Sequence, residues 1–220
     1  MNFKLLITGL VLSLSFWSCS KEEDDDNNNN NPPTTITIPA KTVTGTAQTY
    51  SPMTTGLIPW THGDCVLQAR LSGSSEVVGT GSISANGAVT ITYKATLSST
   101  PFQTFQSSFS LSSGITYSPA NGSMMGSVKH YIIKSNGDEK EVAIHEFSNN
   151  MPNVAEWTPV AMTQQGSIDG IDLLGNTWSN CSFIKGWNFL RMVYDVPTVG
   201  KATYECYATP QSSAVWYTYP

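Results

Sequence analysis

Residues 77–97 read Val-Val-Gly-Thr-Gly-Ser-Ile-Ser-Ala-Asn-Gly-Ala-Val-Thr-Ile-Thr-Tyr-Lys-Ala-Thr-Leu, and this stretch decides the fold class. Val89, Ile91, Tyr93, Ala95 and Leu97 alternate with Thr90, Thr92, Lys94 and Thr96. A period of two places the apolar set on one face of a half-buried strand. Val77 to Ser84 is a shorter strand before it. Asn86-Gly87 between them is a hairpin signal, because both central residues of a type I′ turn need positive φ. The stretch predicts an antiparallel hairpin.

The same grammar extends in both directions. Cys65, Leu67, Ala69 and Leu71 alternate with polar neighbours, and Val43 to Tyr50 is β-branched and Thr-rich. Ser51 to Gly63 holds Pro52 and Pro59 and reads as a loop. Phe102 to Leu111 alternates again, and Ser112 to Gly126 is rich in Ser, Gly, Pro and Asn. Val128–Lys134 and Glu141–Phe147 flank Asn136-Gly137-Asp138 as a second hairpin. Phe183–Val196 and Ala202–Thr209 form a third, and Val215 to Tyr219 closes the chain. No stretch of ten residues holds a capped 3.6-residue period. Ser/Thr-rich strands with turns every eight to twelve residues point to an all-β sandwich or barrel, and the expectation is an antiparallel β-sandwich. Two small sandwich domains (41–116 and 124–220) and one continuous domain (41–220) both fit.

Residues 1–19 have the parts of an export signal: Lys4, an apolar run from Leu5 to Phe16, and Ser18 directly before Cys19. The apolar run is about a dozen residues, short of the roughly 20 that span a bilayer. A small residue followed by Cys resembles a bacterial lipobox, which implies that Cys19 is lipidated and starts the mature chain. An ordinary cleaved signal is the alternative. Glu22, Glu23, Asp24, Asp25 and Asp26, beside Lys21, resemble the acidic address that sends Bacteroidota-type lipoproteins to the outer face of the outer membrane. Residues 20–40 read as a flexible tether: Ser20 to Pro33, with five Asn and Pro32-Pro33, offers no apolar face, and Thr34 to Pro39 reads as tether or as a first edge strand. Its first 15 or so residues hold the domain on the order of 20 Å from the lipid.

The net charge of −5 belongs mostly to the tether. Five of the 16 acids lie there, and Lys4 and Lys21 lie outside the domain, so 11 acids face 9 bases in the rest. A near-neutral domain without a basic patch disfavours nucleic acid. Setting Cys19 aside leaves Cys65, Cys181 and Cys206. A turn at Pro197–Gly200 puts Cys206 opposite Arg191 to Val193, far from Cys181. A disulfide then needs Cys65, and buried free thiols are the alternative.

Lys185-Gly186-Trp187-Asn188, the strands after it, and the terminal Trp216-Tyr217-x-Tyr219 resemble a family of Bacteroidota lipoproteins. The resemblance implies a surface or periplasmic β protein and transfers no catalytic residue. In physical terms, Gly186 permits a tight bend, Trp187 can plug the end of the fold, and Asn188 can bond a neighbouring backbone.

Candidate chemistry is sparse. His130 and His145 are expected to face each other across the second hairpin, and His62-Gly63-Asp64 lies in a loop. No His-x-His or Cys-x-x-Cys spacing completes a metal site. Asp169-Gly170-Ile171-Asp172 with Asn176 reads as a turn rather than a calcium loop. Glu146 with Glu156, or Asp195 with Glu205, are carboxylate pairs a glycosidase would need close together. No nucleophile elbow or phosphate loop is present. No cofactor, metal or catalytic residue is expected. The ligand-binding candidates are Trp60, Trp157, Trp178 and Trp216, as exposed faces for sugar rings, with Trp60 and Trp157 favoured because they lie near prolines. The expectation is a surface-tethered, non-catalytic lipoprotein that binds glycan or an envelope protein. The alternatives are an accessory subunit of an outer-membrane assembly and a glycan-active hydrolase.

Overall fold

The structure, a computed structural model, describes residues 35–51, 53, 56–72, 75–99, 101–104, 114–119, 123–125, 128–148, 151–194 and 201–218. The expected leader, Cys19 and most of the expected tether lie outside the described residues, as do Phe105 to Leu111 and the expected turn at Pro197–Gly200.

The described elements are all strands. In chain order they are β1 (Thr35–Thr37), β2 (Lys41–Ser51), β3 (Gly56–Pro59), β4 (Cys65–Leu71), β5 (Val77–Ile83), β6 (Ala88–Tyr93), β7 (Thr96–Ser98), β8 (Phe102–Thr104) and β9 (Ile115–Ser118). They continue as β10 (Ser123–Met125), β11 (Val128–Ile133), β12 (Glu139–Ser148), β13 (Met151–Met162), β14 (Gly166–Ile171), β15 (Thr177–Phe183), β16 (Gly186–Tyr194), β17 (Ala202–Tyr207) and β18 (Ala214–Thr218).

Seven strands close on themselves in the order β11-β4-β5-β6-β2-β18-β12, with β12 pairing back to β11. The sheet then continues through β13, β16, β17, β15, β14 and β9. The all-β expectation therefore stands, but a closed barrel with an extension replaces two facing open sheets. Two pairings are also parallel, β18 on β2 and β15 on β17. The barrel closes because the last strand inserts beside the first long one: Trp216 lies opposite Ala47 and Tyr217 opposite Gln48. Residues 33–220 form one unit, with strands from both sides of residues 114–126 in one sheet.

Period-two patterning fills the barrel as the sequence implies. Cys65, Leu67, Ala69 and Leu71 of β4, Val89, Ile91 and Tyr93 of β6, and Val128, His130 and Ile132 of β11 are all buried. Gly45 of β2 leaves room for an indole: a Cβ there would lie 2.7 Å from Trp216 Nε1. One apolar cluster joins this interior to Trp157, Ala161, Trp187 and Phe189 of the extension. A second forms on the extension's other face, from Ile115, Val160, Met162, Ile168, Trp178, Cys181 and Phe183.

The Lys185–Asn188 segment acts as its residue types suggest. Gly186 takes φ +109°, which only glycine adopts without strain. Trp187 then enters the barrel at the end of β6, 4.7 Å from the Tyr93 ring, and its indole N–H donates to Lys94 O at 2.9 Å. Asn188 fixes the bend by accepting from Ile184 N–H and donating to the Ile184 and Gly186 carbonyls.

Three hairpin turns share one geometry: Ser84-Ala85-Asn86-Gly87-Ala88, Lys134-Ser135-Asn136-Gly137-Asp138 and Asp172-Leu173-Leu174-Gly175-Asn176. In each, the first residue's N–H donates to the fifth residue's carbonyl, and the glycine N–H donates to the first residue's carbonyl, at 2.8–2.9 Å. The glycines have φ +82°, +87° and +81°. These are three-residue loops closed by a left-handed glycine. The turn in 77–97 is thus centred on Ala85-Asn86, one residue earlier than a type I′ turn at Asn86-Gly87 would be.

Candidate functional site: the Leu173-Leu174 turn

Of the three matched turns, the one joining β14 to β15 differs in what it shows to solvent. The central residues elsewhere are Ala85-Asn86 and Ser135-Asn136; here they are Leu173-Leu174, 64% and 65% exposed, with Ile171 beside them at 56%. The turn is held firmly. Asp172 Oδ1 accepts from Leu174 N–H and Asn176 N–H, both at 2.9 Å, and its Oδ2 accepts from Asn176 Nδ2 at 3.0 Å. Buried Asn176 in turn accepts from Ala202 N–H at 3.0 Å, which ties the turn to β17. The Lys201 side chain lies along Gly175. Below the turn, Trp178 stacks on Tyr204 with centroids 4.3 Å apart. The result is a rigid aliphatic tip. With three donors on its carboxylate, Asp172 builds a turn, as the sequence suggests, and no group of three metal-ligating side chains occurs among the described residues.

Comparison with known proteins finds no matching family model, curated protein or solved structure.

The four tryptophans expected to face solvent do not. Trp60, Trp157, Trp178 and Trp216 are only 7%, 2%, 7% and 1% exposed. Trp60 folds over the Gly87 end of the barrel, because its indole N–H is satisfied by Gly63 O at 2.7 Å and its ring by the edge of His62. Trp157 lies within β13, and donates to Glu146 Oε1 at 3.2 Å. Trp178 caps the second cluster, and Trp216 fills the space at Gly45 against His130. None offers a face to a sugar ring.

The histidines are dispersed. His130 pairs with Val142, not His145. Its Nε2 shares a 2.8 Å hydrogen bond with the Tyr93 hydroxyl inside the barrel, where burial pushes its pKa down to about 3. His62 shares a 2.8 Å bond with Thr218, and its pKa is lowered by burial and by Lys134 and Lys140. His145 lies against Tyr217, opposite Glu156, and burial lowers it as well.

The carboxylates pair differently from expectation. Glu146 meets Glu205 through Arg191, which donates from Nε and Nη2 to Glu146 at 2.9 and 2.7 Å and from Nη1 to Glu205 at 2.7 Å. Glu156, an immediate neighbour of Ala155 and Trp157, falls on the opposite face and accepts from the Tyr194 hydroxyl at 3.1 Å. Hydrogen bonding to Arg191 holds the Glu146 carboxyl below its usual range, the reverse of what a proton-donating carboxyl needs. Asp195 lies outside the described residues.

The sequence reading passed over Leu173-Leu174. The available signal was a turn frame, Asp-x-x-Gly-Asn, whose two free positions both hold leucine.

Proposed function

We propose that the chain is a lipid-tethered, cell-surface module without a catalytic role, which docks an envelope protein through the tip formed by Ile171, Leu173 and Leu174. The observation that supports this most is the leucine pair itself. Two turns of identical hydrogen bonding close with small or polar residues, so nothing in the turn calls for leucine. Clustered exposed aliphatic side chains favour association. A tip already fixed by Asp172 and Gly175 loses little conformational entropy on docking.

The leader and tether support the location. Lipid on Cys19, the acids at 22–26 and the Asn run would leave the domain on a short flexible leash at the membrane. The likeness of Lys185-Gly186-Trp187-Asn188 to Bacteroidota lipoproteins points to the same compartment. Sugar stacking on the four tryptophans is set aside by their burial. We read β13, β16, β17, β15, β14 and β9 as a second layer over the barrel, which is as far as the sandwich expectation carries.

The same tip also suits a permanent accessory subunit of an outer-membrane assembly, and stoichiometry separates the two: a subunit co-purifies at a fixed ratio, a docking module at a ratio that follows concentration. The test is affinity isolation from detergent-solubilised envelope, with wild type beside Leu173→Ser/Leu174→Asn. That double variant copies the Ser135-Asn136 turn, so the fold should be kept and the co-purifying protein lost. Equal recovery with both chains, or no discrete partner with either, counts against the proposal.

A further inference from the structure

The cysteines are chemistry that the docking tip leaves unused. Residues three apart on a strand ordinarily point to opposite faces, which would part Trp178 from Cys181 on β15. However, β15 uses Trp178 to Cys181 against only Gly170 to Ile168 of β14, an extra residue on the β15 side. Such a bulge returns Cys181 to the face that carries Trp178. On β17, Tyr204 and Cys206 are two apart and share a face. β15 runs parallel beside β17 with Trp178 opposite Tyr204. Cys181 and Cys206 therefore meet in one apolar cluster with Trp178, Tyr204 and Leu190. The Cys181 thiol donates to Tyr204 O at 3.3 Å, and Cys206 packs against the cluster that holds Cys181. The hairpin argument from sequence put Cys206 on β17 opposite Arg191 to Val193 of β16, whereas Cys206 pairs with Leu190, one residue outside that range. It missed β15 on the other side of β17. Cys65 lies in the separate barrel cluster, its thiol donating to His62 O.

We propose that Cys181 and Cys206 are joined by a disulfide in the mature protein, cross-linking β15 to β17 beneath the Leu173-Leu174 tip and leaving Cys65 as a thiol. Neighbouring strands lie about 4.8 Å apart, inside the roughly 4.4–6.8 Å Cα separation a disulfide requires. The co-reactant is a disulfide oxidant of the thiol-exchange class, as oxidising compartments hold. The Cys206 thiolate attacks one sulfur of the oxidant and releases one oxidant thiol; the Cys181 thiolate then displaces the second. Two protons and two electrons leave the cysteines, and the oxidant becomes two thiols. Burial, reinforced by the Cys181 thiol, holds Cys206 protonated well above its ordinary range, so exchange is slow in the finished sheet and the bond closes as the strands come together. Its presence in the cell rests on the exported location proposed above; the pairing of the two sulfurs does not.

The full chain, made in reduced form and unfolded, is refolded with oxidised glutathione, then alkylated and peptide-mapped, with Cys19 followed as its own peptide. The expected result is a cross-linked peptide pair holding Cys181 and Cys206 in nearly all molecules, with Cys65 alkylated. Cys65→Ser should close the same bond, and neither Cys181→Ser nor Cys206→Ser should form another. Alkylation of both Cys181 and Cys206, or a bridge through Cys65 or Cys19, overturns the proposal. Mapping the chain isolated from its producing cells tests location separately: closed in both samples supports both ideas, whereas closed on refolding and open in the cell keeps the pairing and counts against export.

Discussion

Two buried polar arrangements dominate at the scale of single residues, and each makes a measurable statement. His130 sits uncharged inside the barrel, with its pKa pushed by burial from 6.5 to about 3. As pH falls below 6.5 the unfolded chain takes up a proton that the folded one refuses, so stability is complete above that value and drains toward the folded pKa. His130→Gln, which can still bond the Tyr93 hydroxyl, should remove about 2–3 kcal/mol of the stability lost between about pH 6.5 and 4.5. Urea melts across that range measure it; an unchanged slope would refute the assignment, and the remaining slope includes His62 and His145 and, toward pH 4.5, Glu139 and Glu146. Arg191 is the second case. Its side chain is 17% exposed and that of Glu146 10%, so Arg191→Met strands a carboxylate with little access to water, at a cost of about 2–4 kcal/mol. Adding Glu146→Gln should recover part of the loss, and a double-mutant cycle by urea denaturation reads the coupling. Because the folded Glu146 pKa is lowered, the pair's contribution should persist above the ordinary value of 4.5 and fade below it.

At the scale of elements, the hairpins carry local information and little else. Asp172→Ala removes the acceptor for three N–H donors of one turn and should cost about 1–2 kcal/mol, read by thermal or urea melts. Leu173→Ser/Leu174→Asn should stay within about 0.5 kcal/mol of wild type; a large loss would mean the leucines serve the fold. Trp187→Ala empties one end of the barrel and should cost about 3–5 kcal/mol. The strands of 65–97 and the 128–147 hairpin were legible because alternation and Asn-Gly turns are local. The barrel was not, because its closure depends on β18 joining β2 in parallel across most of the chain, and no periodicity encodes which distant strand a strand will find. The thiol pair was hidden for a related reason: a one-residue bulge in β15 reverses the face of Cys181, and β17 lies beside it through a parallel contact.

Over the whole molecule, composition marks off an acidic, Asn-rich stretch but ends the expected tether too late, because Thr35–Thr37 pair with β7 and Ile38 is buried in the core; exposure was beyond its reach. Proline beside Trp60 and Trp157 suggested solvent-facing loops; the indoles instead close the barrel end and pack under the extension, since each burial satisfies an N–H as well as apolar area. Among the exposed large apolar residues, which also include Met53, Val66, Ile184 and Tyr194, the group Ile171, Leu173 and Leu174 carries no chemical signature of its own and stands out beside two turns of the same geometry. The described residues form a filled barrel whose interior serves stability and an extension that carries the exposed Leu173-Leu174 turn; the proposed lipid tether is what would keep that turn at the envelope. Site-specific photo-crosslinking in living cells tests this most directly, with a photoreactive residue at position 173 and, as the matched control, at position 135. The account predicts one discrete protein adduct at 173, none at 135, and loss of the 173 adduct when Cys19→Ala releases the tether. Adducts of equal yield at both positions, adducts to lipid alone, or no adduct at 173 would contradict it.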